Sequence, residues 1–218
     1  MDIKNDIHIM EMNDKLYQRL KQSELVIHAK VESVLRQISS WKYATHEFYV
    51  PAPYQNELAG LPNGRIRKNI EEKDRLKIAG LYSFGFNAEG KILCSQEAPD
   101  NIGNGIITDI YEYDNAFSYY VYHVKYIPNQ YTTIISISYF YPYHEMNIFQ
   151  GINSYKDWSV YLYEYDKERI SKVHRYASRW GNMPAEEYNF AYENNLLCAI
   201  VGEIRLKHGE LYINWKNN

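Results

Sequence analysis

The residues of this chain that offer chemistry are phenols and carboxylates, and they lie together. Fifteen of the twenty-three tyrosines in 218 residues fall between Tyr82 and Tyr165, so the rings belong to one region rather than to the chain at large. They come in alternating words: Tyr111-Glu112-Tyr113-Asp114, Tyr119-Tyr120-Val121-Tyr122, Tyr139-Phe140-Tyr141 and Tyr161-Leu162-Tyr163-Glu164-Tyr165-Asp166. A phenol joins a large apolar ring to a polar tip, which suits a half-wet sheet face or a surface built to touch a partner. The same region is acidic. Residues 76–165 carry 4 basic and 9 acidic groups, against 12 and 11 before them and 8 and 7 after. Acids among the rings would steer and select a basic partner, or serve as turn and edge-strand charges that discourage aggregation. The candidate partner-binding set is Asp109, Tyr111, Glu112, Tyr113, Asp114, Tyr120, Tyr122, Tyr161, Tyr163 and Tyr165. The competing reading makes the rings of Tyr161, Tyr163 and Tyr165 cross-strand neighbours of tyrosines such as Tyr120 and Tyr122 on a solvated sheet face.

Catalytic signatures are missing. The seven histidines are scattered, and His144-Glu145 lacks the second histidine of a zinc-protease helix. There is no glycine-rich phosphate loop, no Gly-x-Ser-x-Gly elbow and no Cys-x-x-Cys. Nothing marks two of the many carboxylates as sharing a cleft. The expectation is a protein without cofactor or metal, with an enzyme possible only if its residues converge in the fold. The basic run Arg169, Lys172, Arg175, Arg179 is expected to pair with the acidic middle of the chain.

A net charge of −3 gives no general attraction to nucleic acid or to membrane surfaces. The first residues show no signal-peptide pattern, and no run approaches the ~18 apolar residues of a membrane span. Cys94 and Cys198 lie in apolar, strand-like stretches and read as buried free thiols. A cytoplasmic protein is expected.

The elements that must position these residues follow from periodicity. Ile27, Val31, Val34, Leu35, Ile38 and Trp41 trace one buried helical stripe, which Leu16 and Leu20 extend backwards. The helical region spans about 13–41, as one helix capped near Asn13 or as two meeting near Ser23. A loop over about 51–75, rich in proline and glycine, follows. From 76 to 218 the pattern is β-hairpins: Ile78–Phe86 with Lys91–Ser95, Ile106–Tyr113 with Ser118–Ile127, Tyr131–Tyr141, Trp158–Tyr165 with Arg169–Ala177, and Leu196–Leu206 with Glu210–Trp215. Asn182-Met183-Pro184-Ala185-Glu186-Glu187 reads as the start of a short helix near 184–193. The fold class is α+β, a single domain over 1–218 in which a long amphipathic N-terminal helix packs on a large curved antiparallel sheet.

Tyr163-Glu164-Tyr165-Asp166, followed by Lys167-Glu168-Arg169-Ile170 and ending at Val173, resembles the YD hairpin repeat of bacterial Rhs-type proteins, without its turn glycine. Tyr111 to Asp114 repeats the first word. In overall texture the chain is similar to bacterial immunity proteins of polymorphic toxins. That resemblance implies a cytosolic module that neutralises a cognate toxin domain by stoichiometric binding. The alternative is a carbohydrate- or small-ligand-binding β protein that stacks tyrosine and tryptophan faces on its ligand.

Overall fold

The computed structural model describes residues 6–61, 64–99, 105–178, 186–194, 196–206 and 209–216, with side chains described through residue 202. Two helices open the chain, α1 (Ile7–Ser23) and α2 (Ile27–Arg36). Asp6, not Asn13, caps the first: its carboxylate accepts from the amides of His8 at 3.0 Å and Ile9 at 3.2 Å, satisfying donors that have no partner within the helix. The expected stripe then splits at Glu24–Val26, as the two-helix alternative had it. It ends before Trp41, which lies in a strand.

The remaining elements are β1 (Ser40–Ala44), α3 (Gln55–Leu58), β2 (Ile66–Arg67), a 3-10 turn (Glu72–Asp74), β3 (Tyr82–Phe86), β4 (Ile92–Glu97), β5 (Ile106–Tyr113), β6 (Tyr119–Ile127), β7 (Tyr131–Tyr143), β8 (Met146–Asn153), β9 (Trp158–Asp166), β10 (Arg169–Ala177), β11 (Glu186–Glu193), β12 (Leu196–Leu206) and β13 (Gly209–Lys216). The thirteen strands among the described residues form one antiparallel sheet. From β3 to β13 each strand lies beside the next, and β1 and β2 complete the other end. The sheet does not close: β2 and β13 are its two edges.

Three expectations are corrected. The short helix near 184–193 is the strand β11 over Glu186–Glu193, paired with β10 and β12. Tyr188, Phe190 and Tyr192 alternate with Glu187, Asn189 and Ala191, and the period of two prevails over the capping signal once neighbouring strands supply partners. Residues 184 and 185 lie outside the described residues. The loop at 51–75 contains α3 and β2, and Met146–Asn153, unassigned from sequence, is a strand in the middle of the sheet.

Side chains divide between two faces. One carries Ile110, Tyr122, Val124, Ile137, Tyr139, Ile148, Val160 and Leu162, which pack against Ile9, Leu16, Leu20, Ile27 and Val31 of the two helices. The other carries Tyr111, Val121, Phe149, Tyr163, Val173, Tyr188 and Ile200, which pack with Ala52 and Leu58 of the segment around α3. Each face therefore has its own cover. In β7 the register slips by one residue opposite His123 and Val124, so Ile134 is buried before the bulge and Ile137, Tyr139 and Tyr141 after it. One extra residue exchanges the faces.

Polar side chains set how the helices sit. Gln150 is fully buried on the helix side. Its amide donates to Ile9 O and Asn13 Oδ1, both at 2.8 Å, and accepts from the Tyr141 hydroxyl at 3.0 Å. Farther along the same face, where the helices do not reach, the surface turns ionic. Lys172 pairs with Glu187 at 3.0 Å, and His174 lies 3.0 Å from Glu164 and 3.6 Å from Glu187. Lys172 and Arg175 thus find Glu187 and Glu186 on β11 rather than the acidic middle of the chain.

Gln150→Leu keeps the volume but strands the groups that the amide satisfied. We expect a loss of about 2–4 kcal/mol in urea unfolding, with faster amide exchange in α1 than in the parent. Unchanged exchange in α1 would show that the glutamine does not anchor the helix.

Candidate functional site

The sheet face opposite α1 and α2 holds a cleft, and hairpin register builds it. Tyr113 pairs with Tyr119, which sets Asp109 opposite His123, and His123 in turn lies opposite Ser136. Three adjacent strands therefore present an acid, an imidazole and a hydroxyl side by side. His123 Nδ1 lies 2.7 Å from Asp109 Oδ1, and Ser95 Oγ donates to Asp109 Oδ2 at 3.3 Å. Glu47 arrives from the segment between β1 and α3, which Asn56 pins by donating its side-chain amide to Glu47 O at 2.8 Å.

A hollow of about 340 Å³ lies between these groups, with Ser138, Ser159 and Tyr161 among its other walls. A second hollow of about 370 Å³ continues from it, sharing Ser136, Ser138 and Ser159 and reaching Asn153, Asp157, Trp158 and Arg175. The floor is low because the side chains are small. At Gly151 a Cβ would stand 2.4 Å from Ser138 Oγ, so glycine there lets the hydroxyl lie flat. At the far end Arg175 bonds Glu186 at 3.0 Å, while its buried Nε has no hydrogen-bond partner among the described residues.

Electrostatics concentrate at the near end. Burial, then the charge of Asp109, push Glu47 up to about 7, with His123 opposing. Burial works to lower the His123 pKa, but the hydrogen bond and charge of Asp109, helped by Glu47 and Glu97, raise it above its ordinary value. Glu47 thus exchanges its proton near neutrality, while His123 beside it holds its own more tightly than an ordinary imidazole. Among the described residues no group of three or more His, Cys, Asp or Glu side chains is placed to hold a metal ion.

The ten residues singled out from sequence do not form one surface. Glu112, Tyr120 and Tyr122 face the helices. Glu112 is paired with Arg19 at 2.9 Å and with Lys30. Burial works to raise its pKa, but hydrogen bonds from Lys30, Tyr122 and Arg19 hold it down at about 2. Asp114 accepts from Tyr139 at 2.9 Å on that side. On the cleft side, Tyr111 and Tyr163 are 5% and 0% exposed and Tyr122, opposite, is 1% exposed. These three rings are core, because each sheet face is covered where they stand. Tyr113 lies under the Lys91 ammonium, 3.6 Å from its ring centre, and Tyr165 accepts from Asn147 at 2.8 Å. Of the ten, Asp109 and Tyr161 line the cleft. Glu47, His123, the serines and Arg175 were not singled out. The available signal was register: once Tyr113 is set against Tyr119, His123 falls opposite Asp109.

No family model, curated protein or solved structure matches this chain. Both cysteines are free, with Cys94 buried and Cys198 half-buried. Among the described residues no helix is long and apolar enough to cross a membrane.

Glu47 gives a stability test with a definite sign. Its folded pKa of about 7 lies above the ordinary 4.5, so the folded state holds the proton more tightly and stability falls as pH rises through that window. Glu47→Gln should unfold at higher denaturant than the parent at about pH 8, with the gap closing by about pH 4. A gap of constant size at both pH values would show that Glu47 titrates normally.

Proposed function

We propose that the protein is a binding module that works by occupancy, holding a polar ligand in the paired hollows opposite the helices. The supporting observation is their continuity: one serine floor runs from the Glu47–Asp109–His123 end to the Arg175 end. Tyr161 flanks it as an apolar face, the composition of a site that orients a small or extended ligand by a few polar groups. This is the ligand-binding alternative of the sequence reading, at an address that its tyrosine runs did not give.

The reading includes a bend in the sheet. Tyr49 packs edge-on against Phe84 and Phe86 of β3, and Tyr54 against Phe190 of β11. In a flat sheet those strands would stand about 38 Å apart, at ~4.8 Å per step. The five Cα–Cα steps from Tyr49 to Tyr54 span at most ~18 Å even if extended. The sheet is inferred to curl toward this segment, making the serine floor the bottom of a trough. Filling it tests the idea. Ser138→Tyr should lower the affinity for a saccharide or peptide ligand, read by calorimetry, by about tenfold or more, with its unfolding midpoint close to that of the parent. A ligand held equally well by both forms would have to sit elsewhere.

A second reading, an immunity-type protein that neutralises a toxin by stoichiometric contact, draws on the tip of the β5–β6 hairpin. There Phe117 is 75% exposed beside exposed Asp114 and Asn115, an apolar anchor in an acidic setting. Asp109 and Glu112 are engaged within the fold, so the test belongs at the tip. Asp114→Lys with Phe117→Ala should reduce capture of a cognate partner from the native host by about tenfold or more. Undiminished capture would exclude the tip.

A further inference from the structure

We propose that the occupant of the cleft is an extended peptide segment carrying a basic side chain, whose ammonium or guanidinium group enters the hollow between Glu47 and the Asp109–His123 pair. The inference rests on the trough being the binding site, and it names what binds.

Three features converge on this class. First, the near hollow has more acid than base. Glu47 from the β1–α3 segment, Asp109 from β5 and Glu97 from β4 act on it electrostatically, His123 from β6 supplies opposing positive charge, and the phenols of Tyr82 and Tyr111 also interact with Glu47. A cation entering there completes the charge balance that the imidazole supplies only in part. Second, the cavity of about 340 Å³ accommodates one long side chain and opens into the next hollow, so a group that enters stays attached to something lying along the floor. Third, the far hollow reaches Arg175, a half-exposed guanidinium bonded to Glu186. A carbonyl oxygen of an extended backbone is an acceptor that its solvent-facing donors can meet. A cation at one end and a carbonyl at the other describe a peptide, whereas a neutral sugar would leave the acidic end unanswered.

Proton linkage follows. Glu47 holds its proton near neutrality when the hollow is empty, and a bound cation favours its carboxylate. Binding should therefore release a proton and tighten as pH rises between about pH 6 and 8. A guanidinium probe keeps its own charge throughout that range.

The experiment uses the full chain and three probes: a capped pentapeptide of alanine with a central arginine, the same peptide with citrulline, and free agmatine. Calorimetry in two buffers of different ionisation heat reads affinity and proton release together. The arginine peptide should bind about tenfold or more tighter than the citrulline peptide and release a proton. It should also bind more tightly than agmatine, which carries the cation without a backbone. Glu47→Gln should erase the preference for arginine and the proton release. Asp109→Asn should weaken the preference in a second, independent variant, with circular dichroism confirming that both fold. Arg175→Met should weaken both peptides alike. Equal binding of the two peptides, each blocked by Ser138→Tyr, would overturn the cation assignment while leaving the trough. Tighter binding of agmatine would replace the peptide by a free amine. No binding of any probe at concentrations on the order of tens of millimolar would overturn the inference. A saccharide that then still bound the parent but not Ser138→Tyr would keep the binding reading.

Discussion

Tyrosine hydroxyls join this sheet to the two covers laid on it, and the rest of the structure depends on that. A sheet buried on both faces needs apolar side chains on both, yet its covers are short pieces rich in polar groups. A ring that fills the core and ends in a donor meets both demands. On the helix side Tyr122 donates to Glu112 at 2.7 Å and Tyr126 to Glu32, and the Tyr122 oxygen accepts from Arg19 at 2.8 Å. On the other side Tyr119 reaches Pro51 O and Tyr111 points at Tyr49 O. Loss of any such ring would remove packing and a fastening together. Tyr163 is the exception, fully buried with a hydroxyl that lacks a partner among the described residues.

The elements visible in the sequence were those whose own side chains carry the period. Ile106–Tyr113, Arg169–Ala177 and Leu196–Leu206 have the boundaries that alternation gives. β8 was hidden because its inward positions are Ile148, Gln150 and Ile152. The buried glutamine reads as a solvent residue until Ile9 O and Asn13 are beside it. The start of α1 was hidden for a related reason. Asp6 caps it, but Ile7, Met10 and other exposed positions in the first turns blur the stripe that α1 shares with α2.

The cleft was less legible than the fold because it is made by register and by distance along the chain. Beginning β6 at Ser118 puts Tyr122 opposite Asp109. The actual start at Tyr119 puts His123 there, and one residue separates a stacked ring from an acid–imidazole pair. Glu47 stands 62 residues before Asp109 in a stretch without periodicity, so only the folded path of that segment brings the two into one hollow. The serines carry no signal as catalytic or binding residues. Their contribution is to be small at three positions where every neighbouring row carries rings.

The ionic patch of Lys172, His174, Glu164 and Glu187 has a bearing on architecture. Beyond Leu162 the sheet needs no helical lid over this patch, because Glu164, Lys172, His174 and Glu187 are already compatible with water. The helices therefore set no limit on how many hairpins can follow β8. A sheet organised in this way can be lengthened by whole hairpins beyond β13 without a longer helix to cover them.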